Sequence, residues 1–268
     1  MTNSFPQVVT IAGSDSDGSA GAQADLHSFF ARKVYGVSIL VAAVSGNSYG
    51  ITNQHLFPQD FIDEEFKVIA EDFEVRAAKT GMLGDAQTIK TVIKNLKQYD
   101  FGKLVVDPVI ATKHGAKLLT DEAIELLKNE LLPMGLVTTP NIFEAEILSE
   151  QEIQSDEDML TAAKKIQSYG VKNVVIKGRH PQDSNQDTVI DFVLMENGDQ
   201  FFLPEKYINT THINGTGDTF SSIIVAEIAK GTDLVQAIKL AKTLTNQAIR
   251  YGIDVGHQYG PINHLELL

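Results

Sequence analysis

Short apolar runs of strand length alternate with amphipathic, helix-period segments along most of this chain. That alternation limits the fold more than any other feature. VVTIAG (Val8 to Gly13) and SILVAAV (Ser38 to Val44) read as strands buried on both faces. So do KLVVDPV (Lys103 to Val109), GLVTTPN (Gly135 to Asn141) and NVVIKG (Asn173 to Gly178). Between them, Ile62, Phe66, Ile69 and Phe73 share one face of a helix, and Ile89, Val92, Ile93 and Leu96 share one face of another. Strands joined by helical crossovers make a mostly parallel sheet with helices on both sides, a three-layer α/β/α sandwich. Later, DTVIDFVLMENGDQFFLP (Asp187 to Pro204) reads as a small antiparallel hairpin around an Asn197-Gly198 turn. Two helices close the chain, the last with Leu234, Ala237, Ile238, Ala241 and Leu244 on one face. No repeat, low-complexity tract or linker interrupts the pattern, so a single domain over residues 1–268 is expected.

Composition narrows the function. The net charge is −13, with 22 Lys and Arg scattered among 35 Asp and Glu, which argues against a nucleic-acid partner, whose phosphates need clustered cations. A small anionic ligand is still allowed, because backbone amides can hold it. The absence of cysteine removes disulfides, thiolate metal sites and a cysteine nucleophile. The opening MTNSFPQVVTIAG lacks the basic start, apolar core and cleavage site of a secretory signal. The longest apolar-rich run, Val37 to Val44, is too short to span a bilayer. A soluble cytoplasmic protein with no membrane partner is expected.

In such a sheet, ligands gather at the carboxyl ends of the strands. Those ends here are polar or glycine-rich: SDSDGSAGAQADL after the first strand, SGNS after Val44, GML after Thr80, DP after Val106, TPN after Val137 and KGRH after Ile176. This distribution favours an enzyme. In GTGDTF (Gly215 to Phe220), two glycines let successive amides point at one place, and the following helix adds its positive end. That is an anion hole suited to a phosphoryl group in transfer. Asp218 beside it is either a first-turn acid that caps the helix or a base for an attacking hydroxyl; the segment alone leaves both open. No P-loop is present, and Phe220 stands where a dinucleotide fingerprint needs its third glycine. Asp25 falls just inside the first helix, where it is either a dipole-stabilising acid or a substrate hydrogen-bonding group. Asp107 at a strand end, with Asn141 and Glu144 around a helix start, fits water-mediated Mg²⁺ binding or plain helix-start chemistry. Lys177 and Lys79 are candidate phosphate partners. The seven histidines show no metal-ligand spacing.

Taken in order, TIAGSDSDGSAGAQADL, KTGML, DPV, TPNIFEAEIL, VVIKG, NGTGDTF and the closing VGHQYGPINH resemble the hydroxymethylpyrimidine kinase and vitamin B6 kinase branch of the ribokinase superfamily. The resemblance spans essentially the whole chain. It implies a ribokinase-like fold, usually homodimeric, that transfers the γ-phosphoryl of ATP to a hydroxymethyl group on a small aromatic heterocycle. It makes Asp218 the base and the amides of Gly215, Thr216 and Gly217 the anion hole. It places Asp25, Gly13, Gly46, Asn47 and Met82 around the heterocycle. Asn141, Lys177, Thr216 and Gly217 fall at the nucleotide, and Asp107 and Glu144 at Mg²⁺; K⁺ is a further cation that the resemblance allows. The polar segment Arg179 to Asp187 is the candidate closing loop.

Two departures bear on the substrate. The pyrimidine kinases commonly read THGTGC, with cysteine where this chain has Asp218 and histidine where it has Asn214. They carry QNT or ENT after the second strand, and its first residue contacts the pyrimidine; here the segment is GNS, and Gly46 has no side chain to offer. A missing polar partner discriminates strongly between substrates. The expectation is therefore a B6 vitamer kinase (pyridoxal, pyridoxine or pyridoxamine), with hydroxymethylpyrimidine as the close alternative and dual activity between them. A sugar kinase and a non-catalytic ligand sensor are remoter readings.

Overall fold

The computed structural model describes residues 4–110, 118–179 and 187–268. The first half runs β1 (Gln7–Asp15), α1 (Gly21–Ala31), β2 (Tyr35–Asn47), β3 (Gly50–Leu56), α2 (Gln59–Asp72), β4 (Val75–Thr80), α3 (Ala86–Gln98) and β5 (Lys103–Val106). Next come α4 (Asp121–Leu126), β6 (Val137–Thr138), α5 (Ile142–Ser149), α6 (Asp156–Gln167) and β7 (Asn173–Arg179). The chain closes with β8 (Thr188–Leu194), β9 (Gln200–Lys206), β10 (His212–Asn214), α7 (Thr216–Ala229), α8 (Leu234–Arg250) and β11 (Gly260–Pro261).

One nine-stranded sheet has the order β3-β2-β1-β4-β5-β6-β7-β8-β9. Its interior strands β2, β1 and β4 to β7 are parallel. β3 lies antiparallel along one edge, and β8 and β9 along the other. Because side chains alternate across a strand, each strand feeds two cores. Val9, Ile11, Ala78, Leu104 and Val106 pack with Ile62 and Phe66 of α2 and Ile89 and Val92 of α3. Val8, Ala77, Val105, Val137 and Val175 pack with Phe29 of α1, Ile223 and Ile224 of α7 and Ala237 of α8. The expected three-layer sandwich is present. Among the described residues no helix is long and apolar enough to cross a membrane.

The expected hairpin around Asn197-Gly198 is formed by β8 and β9, and β8 also pairs with β7, so the hairpin extends the main sheet. The details depart from the sequence reading in three places. β3 was not foreseen, because its residues are exposed and it carries no alternating apolar pattern. β5 stops at Val106, where Pro108 brings no N–H and Val109 turns to a positive φ of 45°. Phe73 is extended and follows the end of α2 instead of belonging to it. The Arg179 to Asp187 loop lies largely outside the described residues.

The topology also sets where a ligand can sit. From β1 the chain moves outward to β2 on one side and later crosses to β4 on the other, so the strand order reverses between β1 and β4. That reversal opens a crevice at the carboxyl ends. A register shift at Ala12/Gly13 sets Gly13 opposite Ala42, and the Leu40 amide beside the shift donates to Glu65 at 2.7 Å.

Candidate active site

Helix α7 begins without a side-chain cap; its N-cap residue is Gly215, held in the left-handed region at φ 78°. Asp218 stands in the first turn but is not the cap, so of the two open readings the cap is the one this geometry does not support. Thr216 Oγ1 donates to the Ile213 carbonyl at 2.7 Å and fixes the turn that aims the amides. The turn is braced from behind: β10 pairs with β11, and the Ile262 amide donates to the Asn214 carbonyl at 3.1 Å. One turn into α7, Thr219 Oγ1 lies 2.9 Å from Nε2 of His264, which burial, helped by the nearby His27, pushes down to about 4 and keeps neutral.

Charged groups from separate strands meet at this turn. Lys79 on β4 reaches Asp218 Oδ1 at 3.8 Å. Lys177 on β7 lies 3.5 Å from Asp107 Oδ1, and Ser221 on α7 donates to Asp107 Oδ2 at 3.1 Å. A methyl group on Gly217 would come within 3.3 Å of Lys177 Nζ, so the lysine lies against the anion turn. The Asp218 side chain is 19% exposed. Burial pushes its carboxyl up and the Lys79 charge pulls it back; the charges of Asp25 and Asp107 raise it again, to about 7. A carboxylate poised there can take a proton near neutral pH.

Asn141 and Lys177 are brought together by a backbone bridge between β6's extension and β7, with the Lys177 amide donating to the Pro140 carbonyl at 2.9 Å. The Asn141 side chain caps α5 by accepting from the Glu144 amide at 3.0 Å. Glu144 completes that capping box, accepting from the Asn141 amide at 2.8 Å, and its other oxygen accepts from the Ile110 amide at 3.0 Å. Glu144 thereby ties the turn after Asp107 to the start of α5. Among the described residues, no group of three or more His, Asp or Glu side chains is placed to hold a metal ion. Of the two carboxylates expected at Mg²⁺, Asp107 fits, since it borders the anion turn and the Lys177 contact on it is loose. Glu144 has a backbone amide on each of its oxygens, which leaves it the water-mediated role expected from the sequence and not that of a direct ligand.

Around the crevice, Gly13 and Met82 are neighbours: a methyl group on Gly13 would collide with the end of the Met82 side chain. Gly46 exchanges two hydrogen bonds with Ser16, its amide donating to Oγ at 2.9 Å and its carbonyl accepting from it at 2.8 Å. Asn47 is exposed, and its side chain accepts from the Tyr49 amide at 2.9 Å. Asp25 is placed differently from the sequence expectation. It has no exposed surface, and its carboxylate is taken up by Thr10, Lys79 and Ser222. Lys79 is equally buried, and its ammonium lies between Asp25 and Asp218.

Several residues of the site escaped the sequence reading. Gln23 holds the β1–α1 loop, donating to Ser14 Oγ and accepting from the Asp15 amide, each at 2.8 Å. Burial, with Asp17 beside it, pushes the Asp15 carboxyl up to about 6. Ser221 and Ser222 were legible in principle, falling three and four positions after Asp218 on its own helix face. A cavity of about 340 Å³ lined by Tyr99, Asp100 and Phe101 lies at the opposite end of β5 and holds none of these groups.

A family model described as phosphomethylpyrimidine kinase matches residues 15–263, which takes in Asp25, Lys79, Asp107, Asn141, Glu144, Lys177 and the turn from Gly215 to Asp218. The chain belongs to that family. It is a kinase of the ribokinase-like superfamily. It is 43% identical to the hydroxymethylpyrimidine/phosphomethylpyrimidine kinase of Haemophilus influenzae over 96% of either chain. Among solved structures, Bacillus subtilis pyridoxal kinase with ADP superposes with a TM-score of 0.90 at 34% identity, covering 98% of this chain and 99% of that one. Staphylococcus aureus pyridoxal kinase with AMP-PCP and pyridoxal superposes with a TM-score of 0.87 at 30% identity, covering 98% of this chain and 95% of that one.

Proposed function

We propose that this kinase transfers the γ-phosphoryl of ATP to the hydroxymethyl group of a six-membered aromatic nitrogen heterocycle, accepting both hydroxymethylpyrimidine and pyridoxal. The observation that carries the reading is Asp218, poised near neutrality in the first turn of a helix that no side chain caps. In the proposed step the substrate hydroxyl oxygen bonds to the γ-phosphorus, the bond from that phosphorus to the β–γ bridging oxygen breaks, and ADP leaves. The hydroxyl proton passes to Asp218. The amides of Gly215, Thr216 and Gly217 and the positive end of α7 stabilise the phosphoryl oxygens. Lys177 and Asn141, adjacent across the β6–β7 bridge, face the nucleotide phosphates. Asp107 would hold Mg²⁺ through water, and the ion would neutralise phosphate charge.

On substrate choice the supports pull in different directions. The bare Gly46 and the aspartate in GTGD favour a B6 vitamer, as does the likeness to pyridoxal kinase structures. The matched family and the Haemophilus relative favour the pyrimidine. A dual-substrate kinase accommodates both. Coupled ADP release measured side by side with pyridoxal, pyridoxine, hydroxymethylpyrimidine and ribose tests it. Turnover with both heterocycles is expected. Turnover with only one would overturn the dual reading, and turnover with ribose alone would overturn the heterocycle reading.

A further inference from the structure

We propose that Asp25 and Lys79 form a buried positioning pair that aims and balances the charge of Asp218, and that Asp25 makes no direct contact with the heterocycle. The side chains of both residues are 0% exposed, and Lys79 Nζ lies 2.6 Å from Asp25 Oδ1. The remaining capacity of Asp25 is filled by Ser222, which donates to Oδ1 at 2.7 Å, and by Thr10, which donates to Oδ2 at 2.5 Å. Four elements, β1, α1, β4 and α7, therefore close on one carboxylate and leave no face of it for a ligand. Ser222 lies one helical turn from Asp218, so its bond to Asp25 also fixes the rotation of α7 about its axis.

A buried ion pair that serves only stability has no advantage over well-packed apolar side chains. The location of this one distinguishes it: Lys79 Nζ is 3.8 Å from Asp218 Oδ1 at the crevice floor. The charged groups acting on Asp218 are Lys79 from β4, Asp25 from α1, Asp107 from the end of β5 and Lys177 from β7. Burial alone would push the Lys79 ammonium down, but the charges of Asp25, Asp218 and Asp107 outweigh it and raise the group, so it stays charged. Lys79 then holds the Asp218 anion against desolvation, while Asp25 limits that pull.

The inference rests on Asp218 being the base of the proposed kinase, and its test separates the two ideas. Steady-state kinetics are measured across pH for Asp25→Asn, Lys79→Met and the double variant. For Asp25→Asn, kcat is expected to fall about 10- to 10²-fold, as for a small misplacement of a reacting group, with the heterocycle KM nearly unchanged. A raised KM at unchanged kcat would make Asp25 a substrate ligand and overturn the proposal. The acid limb of kcat is expected to move up by about one pH unit or more in Lys79→Met and down in Asp25→Asn. Limbs that stay in place in both would also overturn it. Where a single variant does not fold, the double variant, which leaves no lone buried charge, is expected to fold with its limb above the parent's; an unmoved limb there counts against the pair. Carbon-13 NMR titration of the Asp218 carboxyl in the parent and double variant reads the same shift without turnover. A parent that phosphorylates nothing would therefore sink the kinase reading while the NMR shift still decides the pair.

Discussion

Gly215 lies against the carbonyl of Ser19, so closely that a methyl group on its Cα would overlap that oxygen. The contact joins the β1–α1 loop to the glycine-rich turn at the start of α7. Gly215 also sits at φ 78°, a region that side chains disfavour. Gly215→Ala is therefore expected to cost about 1–3 kcal/mol for the backbone alone, to lower the melting temperature and to reduce kcat. Gly217→Ala is the comparator. Its added methyl would meet only the end of the long Lys177 side chain at 3.3 Å, which can shift, so the fold should survive while turnover drops. Scanning calorimetry and ADP release separate the two; a Gly215→Ala protein with the parent's melting temperature and turnover would contradict the contact.

Asp218→Asn is expected to bind ATP and to lose about 10²–10⁴-fold in kcat, the usual contribution of a positioned general base. The pH dependence of stability gives a second check. The folded carboxyl titrates at about 7, above its ordinary 3.8, so the fold favours the protonated form. That contribution is complete below 3.8 and is lost as pH rises through about 7. Asparagine mimics the protonated state, so the variant should melt above the parent at pH 8 and close to it at pH 4. Asp15, pushed up to about 6, titrates in the same window, so the comparison is made between parent and variant at each pH. A variant that melts below the parent at pH 8 would reverse the sign argued here.

Glu144→Gln leaves one carbonyl to accept and turns an NH₂ toward a backbone amide of Asn141 or Ile110. A loss of about 1–3 kcal/mol is expected from the orphaned buried amide, with the Mg²⁺ requirement unchanged. Urea unfolding and an Mg²⁺ titration of turnover measure the two effects. An unchanged stability with a raised Mg²⁺ requirement would restore Glu144 as a direct ligand.

Gly46→Gln tests substrate choice. A Cβ there would come 3.2 Å from the Gly50 carbonyl, so the hairpin must yield by a few tenths of an ångström, and the new amide adds a hydrogen-bonding group beside the crevice. The ratio of kcat/KM for hydroxymethylpyrimidine over pyridoxal is expected to rise. An unchanged ratio would remove Gly46 from the specificity argument.

Much of this protein is written locally. The apolar runs and helix faces fixed the layers, because burial on one face or two leaves a periodic trace in the chain. The Asn197-Gly198 turn announced its hairpin, and GTGD announced an anion turn, since glycine is what a left-handed N-cap such as Gly215 requires. β3 left no such trace: an exposed edge strand needs no apolar pattern, and its backbone pairing with β2 decides it.

The charges were the property of the tertiary structure. Asp25 and Lys79 are separated by 54 positions, and nothing in either segment says that both side chains lose all contact with water. Their ionisation, and that of Asp218, depends on the desolvation and neighbouring charge created when β1, α1, β4 and α7 close together. The sequence by itself thus determined which residues stand at the strand ends. Only the packed fold decided that Asp218 borders the crevice while Asp25 lies beneath it, because long-range electrostatics in a dry interior has no local signature.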